Sequence, residues 1–340
     1  KMYIKMGAHY DDLYKSAAII NLTKKNFLAQ DDVASFDIML GDNVRYRMEY
    51  YIDKGFHWSF GINSAYNVFN TEVNYDVISS NFPVPNDDNI NSINLGVVDL
   101  TNQFYLQTVW QEEFAINLGL EHRFFKYSTR TLGEQANANI STNNTRTIFE
   151  KSNYLSAFGK LKLDTYNDKY YPTRGLFFNG DIHFYFSSSD YNDNFKEFSI
   201  VKGNMGMALP LFKNLSLKLE TGGGFKLGES DVRSLDFIMG GYGNDFGANF
   251  IPFLGYDFLS LPGNSYIKAY GRLDYEFAFK NHLLFSANFA NVADDIFINP
   301  EGLVEMRGIG TELTFFKKFL DKMEAEVQVF KVGTFKSAIE

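Results

Sequence analysis

The residues that most often carry out chemistry are sparse in this 340-residue chain, and they are not spaced for catalysis or metal binding. The absence of cysteine excludes disulfide bonds, thiolate metal ligands and a cysteine nucleophile. The five histidines are isolated, without His-x-x-x-His spacing: His9, His57, His122, His183 and His282. Neither Gly-x-Ser-x-Gly nor an Asp-Gly dipeptide occurs, which excludes from this segment a nucleophile-elbow serine hydrolase with an Asp-Gly base.

Carboxylates on a predicted polar strand face are the remaining catalytic candidates: Asp164, Asp181, Glu220, Asp274 and Glu276. They could act as general acids or bases, and a serine and a histidine at the edge of the same face could form an embedded lipase. The simpler interpretation is a solvated wall in which carboxylates face arginines. The run Gly222-Gly223-Gly224 lacks the Lys-Ser/Thr that follows in a phosphate loop. We therefore predict no catalytic residue, no cofactor and no metal site in this segment.

Charge and aromatic content narrow the class of protein. The net charge is −9 and the lysines and arginines are scattered, which argues against a nucleic-acid partner because that needs a basic face. The chain contains 35 Phe, 21 Tyr and 2 Trp, yet its mean hydropathy is −0.23. No window approaches about 18 uninterrupted apolar residues, which excludes a transmembrane helix. The apolar side chains must therefore follow a pattern.

That pattern has a period of two residues. In the segment 268–279, Ala269, Leu273 and Phe277 alternate with charged residues such as Arg272 and Asp274. The same alternation occurs at 44–53, 116–121, 178–186, 215–220 and 324–329. Successive side chains of a strand point to opposite faces, so these runs predict β-strands throughout.

Short turn sequences such as Gly41-Asp42-Asn43 and Lys280-Asn281 separate the strands, and longer polar stretches interrupt them at about 70–102, 129–150, 187–194, 228–262 and 292–305. A soluble sandwich or propeller is one alternative, but its strands average about 5–6 residues. Long strands with a charged face and paired aromatics near their ends favour a membrane barrel. We predict an all-β fold: a single antiparallel transmembrane β-barrel of about 16 strands, with residues 1–340 as one domain.

A resemblance to a known family comes from Tyr171-Pro172-Thr173-Arg174-Gly175, which follows Asp164 on a predicted strand–turn–strand. The run resembles the Tyr-Pro-Thr-Arg-Gly signature of the bacterial surface-antigen barrels, the outer-membrane assembly and two-partner-secretion superfamily. Proline fixes φ after an extended residue, and glycine frees the backbone where the next strand begins.

A second segment, Gly240-Gly241-Tyr242-Gly243 followed by Phe253-Leu254-Gly255-Tyr256, looks like the long inward-folding loop of the same superfamily. The tip of that loop carries a Val-Arg-Gly-Phe/Tyr motif, and Leu254 stands here in the place of its arginine. The resemblance implies that Asp164 and Arg174 help to order the inward loop that carries Gly255 and Tyr256.

Leucine in this place makes the chain most similar to the barrels fused to patatin-like phospholipases. The resemblance implies an integral protein in the outer membrane of a diderm bacterium, acting as the anchor or translocation domain of such a phospholipase. A periplasmic or hydrolase region would then precede Lys1, because the chain reads as a mature or truncated piece. The alternatives are a stand-alone barrel in outer-membrane protein assembly or an envelope complex, and a channel for small solutes or fatty acids. The expected partners are outer-membrane lipids or lipopolysaccharide, envelope-complex proteins, or a second copy of the chain.

Overall fold

The computed structural model describes residues 2–11, 13–55, 57–75, 91–110, 113–129, 147–189, 195–229, 232–241, 249–294, 311–319 and 323–331. These residues form 18 β-strands. The first eleven are β1 (Met2–Asp11), β2 (Lys15–Lys25), β3 (Asp32–Gly41), β4 (Arg45–Ile52), β5 (Ser59–Asn74), β6 (Ser92–Trp110), β7 (Phe114–Thr129), β8 (Thr147–Asp164), β9 (Gly175–Ser188), β10 (Phe198–Phe212) and β11 (Leu215–Leu227). Three short strands follow: β12 (Phe237–Met239), β13 (Phe250–Ile251) and β14 (Leu261–Gly263). The last four are β15 (Ser265–Ala278), β16 (Asn281–Ala293), β17 (Thr311–Phe319) and β18 (Met323–Lys331).

Thirteen strands form one sheet in the order β1 to β11, β15, β16. The pairs from β1–β2 to β6–β7 are antiparallel, and so are β11–β15 and β15–β16. β17 and β18 pair as a separate antiparallel hairpin. This sheet and hairpin together hold 15 of the described strands, against about 16 predicted. The predicted all-β antiparallel class is confirmed.

The chain divides into two compact units. The first comprises Lys1–Lys160, Ile182–Ile200 and Leu227–Leu235. A buried ion pair lies on the sheltered face of its strands β6 and β7. Arg123 donates two hydrogen bonds to Asp99, at 2.9 and 2.7 Å, and both side chains are almost fully buried. The alternate positions of the same strands expose large apolar side chains: Phe104, Leu106, Leu118 and Leu120.

The second unit comprises Leu161–Asp181, Val201–Lys226 and Asp236–Glu340. Its strand β15 shows the predicted alternation clearly, because Leu273 is 37% exposed while the neighbouring Asp274 is 4% exposed. Ile267, Tyr275 and Phe277 share the exposed face with Leu273. An apolar exposed face opposite a charged sheltered one is the arrangement expected of strands that meet lipid on one side.

In the part of the chain that is described, no helix has the length and hydropathy needed to span a bilayer. The longest strand, β6, has 19 residues, well beyond the about 9–11 that cross a bilayer. That residues 1–340 form one domain stays a prediction.

Candidate functional site

The connection 165–174 between β8 and β9, which contains most of the predicted signature, is held in shape by two of its own side chains. Asn167 Oδ1 accepts hydrogen bonds from the backbone N–H groups of Thr173 and Arg174, both at 3.0 Å. Asp168 Oδ1 accepts from the N–H groups two and three residues later, both at 2.8 Å. Short polar side chains of this kind satisfy backbone donors that a turn leaves unpaired. The turn is therefore ordered by local contacts.

Glycine is required where the turn enters β9. Gly175 has φ +116°, and a Cβ at this position would lie 2.3 Å from the carbonyl oxygen of Thr165. The two strands close on each other at this point, since Thr165 N–H donates to the Leu176 carbonyl at 2.9 Å. Pro172, inside the turn, is buried. The end of the signature thus fixes the backbone path from the turn into β9.

The turn is docked on the hairpin formed by β15 and β16. The ring of Tyr171 stacks on the imidazole of His282, with ring centroids 3.9 Å apart and an interplanar angle of 14°. His282 Nδ1 lies 2.7 Å from Asp274 Oδ1, and since a carboxylate only accepts, Nδ1 is the donor. Arg272 Nη2 donates to the carbonyl oxygen of Tyr170 at 2.9 Å. Two adjacent residues of the turn therefore contact the polar face of one hairpin.

The surroundings of Tyr166, a residue of the turn, raise the pKa of its phenol. Tyr166 is partly buried, and this burial, with the carboxylates of Glu220 and Asp164 nearby, raises its pKa to about 12. Its ring packs on Phe177, with centroids 5.6 Å apart, and the Lys218 ammonium lies 5.5 Å from the ring centroid. Tyr166 is therefore neutral at any physiological pH and acts as a packing residue.

The predicted inward-folding loop, between β11 and β15, contains the three short strands. β12 pairs with β13 in parallel and with β14 antiparallel. Seven large apolar side chains of the loop are buried: Phe237, Met239, Phe250, Ile251, Phe253, Leu254 and Leu261. The Phe237 ring meets the Tyr266 ring of β15 edge-on at 4.8 Å, and Lys226 Nζ lies 2.7 Å from Asp236 Oδ1 at the start of the loop. The described part of this loop is therefore packed, not solvated. Tyr242 and Gly243 lie outside the described residues.

The tip of the loop closes on its own glycine-rich start. Gly241 N–H donates to the Tyr256 carbonyl at 2.9 Å, and Phe253 N–H donates to the Gly241 carbonyl at 2.8 Å. Gly255, between Leu254 and Tyr256, has φ +93°, a conformation that residues with a Cβ rarely adopt. The rings of Phe253 and Tyr256 lie 5.7 Å apart across this bend. The structure thus brings the two halves of the second predicted motif together.

A single side chain of β16 holds the tip. Asn288 Oδ1 accepts from the backbone N–H of Leu254 at 2.7 Å, and Asn288 Nδ2 donates to the Leu254 carbonyl at 3.3 Å. Asn288 is 4% exposed and Leu254 3%. An amide can satisfy both backbone groups of one residue, and two such groups left unpaired in the interior would be costly. The contact is made to the backbone, so it does not depend on a charged side chain at position 254.

The turn and the loop tip therefore both contact polar side chains on one face of β16. His282 and Asn288 both lie on the sheltered face of β16, with Ser286 between them accepting or donating a 2.9 Å hydrogen bond with the Tyr270 hydroxyl. Asn288 lies six positions after His282, which is about 20 Å along a strand. We call these three β16 residues the polar stripe. The stripe joins the two segments that the sequence singled out.

The remaining predicted residues contact their own turn. Asp164 Oδ1 accepts from the N–H of Tyr166 at 3.3 Å, and its other oxygen lies 3.8 Å from Lys162 Nζ. Arg174 contributes its backbone N–H to Asn167 Oδ1, and its side chain is exposed. That Asp164 and Arg174 help to order the inward loop stays a prediction.

Sequence reasoning did not single out Asn288, and it treated His282 as an isolated histidine. Hairpin register was the missing signal. Across the turn at Lys280-Asn281, Glu276 pairs with His282 and Asp274 pairs with Leu284. His282 is therefore a diagonal neighbour of Asp274, although the two residues are eight positions apart in the sequence. Nothing in the residues around Asn288 marks it, because its partner is a backbone 34 positions away.

The chain matches a family model and, over a short segment, two curated proteins. A family model described as the OMP85 superfamily matches residues 1–315. Among curated proteins, Protease 4 of Haemophilus influenzae is 43% identical over 51 residues, and Protease 4 of Salmonella typhi is 41% identical over 51 residues. Each match covers 15% of this chain and 8% of the curated protein. The chain thus spans only a small fraction of these relatives.

Two solved structures resemble the chain over most of its length. BamA from Haemophilus ducreyi, crystallised without POTRA domains 1–3, has a TM-score of 0.63 at 14% identity, covering 96% of this chain and 68% of that crystallised chain. CdiB from Acinetobacter baumannii has a TM-score of 0.57 at 11% identity, covering 94% of this chain and 54% of CdiB. At such identities the likeness concerns the fold alone.

Proposed function

This chain belongs to the OMP85 superfamily and is an integral outer-membrane barrel protein, and we propose that it helps other polypeptides to enter or assemble in that membrane. The observation that carries the proposal is the attachment of Leu254, at the tip of the inward loop, to Asn288 on β16. A loop that is fixed on the polar face of the sheet favours a protein that acts on other polypeptides at its barrel wall over a protein that acts as an open pore.

The test is the folding rate of a second polypeptide. The protein is reconstituted in phosphatidylcholine vesicles, and a urea-unfolded eight-stranded outer-membrane barrel is added. Folding of this client is followed by its shift in gel mobility before and after boiling. We expect faster client folding than in empty vesicles, and a lower rate when Asn288→Ala releases the loop tip. The matched variant Asn281→Ala, which removes only an exposed hydrogen bond to Phe279 at the start of β16, should keep the rate. A client rate equal to that in empty vesicles would overturn the proposal.

A second candidate is the membrane anchor of a patatin-like phospholipase. Leucine at position 254 favours it, because the tip then carries no charge and holds its place through its backbone. The experiment is the intact mass and N-terminal sequence of the native polypeptide from cell envelopes. A chain much larger than 38.9 kDa with Gly-x-Ser-x-Gly upstream of Lys1 supports the anchor. A chain close to 38.9 kDa that begins near Lys1 excludes it.

A further inference from the structure

A row of polar side chains crosses four neighbouring strands, β5 to β8, on the face of the first unit that is mostly apolar. The Ser64 hydroxyl donates to Asn102 Oδ1 at 2.7 Å, Asn102 Nδ2 lies 3.3 Å from His122 Nδ1, and His122 Nε2 lies 3.0 Å from Asn153 Oδ1. Asn153 Nδ2 then donates to Ser189, just after β9, at 3.2 Å. Strand register places Ser64 opposite Asn102 and Asn102 opposite His122. We call these residues the polar belt: Ser64, Asn102, His122, Asn153 and Ser189.

The polar belt lies on the lipid-facing side. Along β6, β7 and β8, a residue on the same face, two positions from the belt residue, is a large exposed apolar side chain. Phe104 is 48% exposed, Leu120 59% and Leu155 42%. The charged residues next to His122 in sequence, Glu121 and Arg123, are buried on the opposite face. Polar side chains on a lipid-facing surface are costly unless they are bonded or lie outside the hydrocarbon.

The depth of the polar belt in the membrane shows whether its groups lie inside the hydrocarbon or at its edge. β6 and β7 are joined by a short connection, where Trp110 is 70% exposed and faces Phe114, as in an interfacial aromatic girdle. His122 lies eight residues further along β7. At about 3.4 Å per residue and a strand tilt of about 40°, this is roughly 21 Å of depth. The apolar band of an outer-membrane barrel is about 25 Å tall. The belt therefore lies close to the far edge of the hydrocarbon.

Two lysines continue the same face beyond the belt. Lys126 follows His122 by four residues on β7, and it pairs in register with Val98. Lys151 precedes Asn153 by two residues on β8. β5 and β7 end on this side, and 17 residues separate each of them from the next strand. In barrels with short periplasmic turns, the strand ends with long connections face the outer surface. Among the described residues, the ion pairs use other cations. The lysine ammonium groups thus stand above neutral hydrogen-bonding groups at the level of lipid headgroups.

We propose that the polar belt, together with Lys126 and Lys151, binds the phosphorylated headgroup of an outer-leaflet lipid. The two ammonium groups complement the phosphate charge, and the amide, imidazole and hydroxyl groups of the belt can bond the remaining headgroup oxygens. The polar belt also keeps its own groups bonded when no lipid is present. The inference rests on the outer-membrane location and is independent of any action on other polypeptides.

The experiment measures retention of diphosphorylated lipid A. The protein is folded into phosphatidylcholine nanodiscs that contain a small fraction of this lipid, and bound lipid is counted by native mass spectrometry after release into detergent. We expect the wild type to retain it and the variant Lys126→Gln/Lys151→Gln to lose roughly 30-fold in affinity, as two lysines near a membrane surface predict. Lipid A without its phosphates should be retained no better by the wild type than by this variant.

A matched variant removes the same total charge from the other face of β8. Lys160→Gln/Lys162→Gln lies at the opposite end of β8, and it should retain lipid A like the wild type. A third variant, His122→Phe, interrupts the belt without altering either lysine and should weaken retention. Equal retention by the wild type and by Lys126→Gln/Lys151→Gln would overturn the proposal. So would equal retention of phosphorylated and dephosphorylated lipid A by the wild type.

Discussion

The ring of Tyr171 stacks on the imidazole of His282 at 3.9 Å, and this contact fixes the turn between β8 and β9 to the base of β16. His282 is in turn held by Asp274 at 2.7 Å. A locally ordered turn and a distant hairpin are thereby joined through three side chains. The same hairpin holds the loop tip through Asn288. It is therefore the element on which both predicted motifs depend.

Loss of the Tyr171 ring should loosen the turn. We expect Tyr171→Ala to lower the free energy of unfolding by about 1–2 kcal/mol, since a stacked ring pair adds about 0.5–1.5 kcal/mol to the area it buries. Urea unfolding in phosphatidylcholine vesicles measures this loss in the free energy of unfolding. The neighbouring Tyr170 is the control, because its ring is 67% exposed and only its carbonyl contacts Arg272. If Tyr170→Ala costs as much as Tyr171→Ala, the stacking contact is not what holds the turn.

Release of the loop tip should cost more. Asn288→Ala leaves the buried N–H and carbonyl of Leu254 without their partner, and we expect a loss of about 1–3 kcal/mol. The temperature at which the folded form converts on gels measures this loss. Asn281→Ala removes an exposed hydrogen bond from the same strand and should shift that temperature much less. Equal shifts would contradict the role given to Asn288.

Glycine at the entrance to β9 should not be replaceable. Gly175→Ala places a Cβ 2.3 Å from the Thr165 carbonyl at φ +116°, so we expect a loss of more than about 1 kcal/mol. Gly203→Ala on β10 is the matched change, since its nearest neighbour would lie at 4.0 Å. The yield of heat-modifiable protein after refolding compares the two. Equal yields would show that the backbone at Gly175 can relax.

The two faces of β15 should tolerate charge differently. Leu273→Arg exposes a guanidinium to lipid, at a cost of about 2–4 kcal/mol near the bilayer midplane. Asp274 is unsuitable as the control, because it is buried and bonded to His282. Glu276→Arg is better, as Glu276 is half-buried on the polar face and its carboxylate accepts a hydrogen bond from the N–H of Lys280 in the turn. Similar folded yields of Leu273→Arg and Glu276→Arg in vesicles would contradict the assignment of the faces.

Much of the fold could be predicted from alternation because a strand's period of two is a local property. The segment 268–279 shows it, since Leu273 and Asp274 lie on opposite faces as the pattern requires. The short strands β12 to β14 were not predicted, because two or three residues carry no period. The turn signature was found because Gly175 and Pro172 obey local backbone rules.

The candidate site was found only in part. The sequence by itself determined the all-β class, the two faces of the strands and the shape of the turn, since each depends on residues close together in the chain. Tertiary structure alone decided that His282 meets Tyr171 and that Asn288 holds Leu254. These contacts join residues 111 and 34 positions apart, and one of them is made to backbone atoms that every residue type carries. Hairpin register and the return of a long loop to the sheet bring such groups together, and neither leaves a local pattern in the sequence.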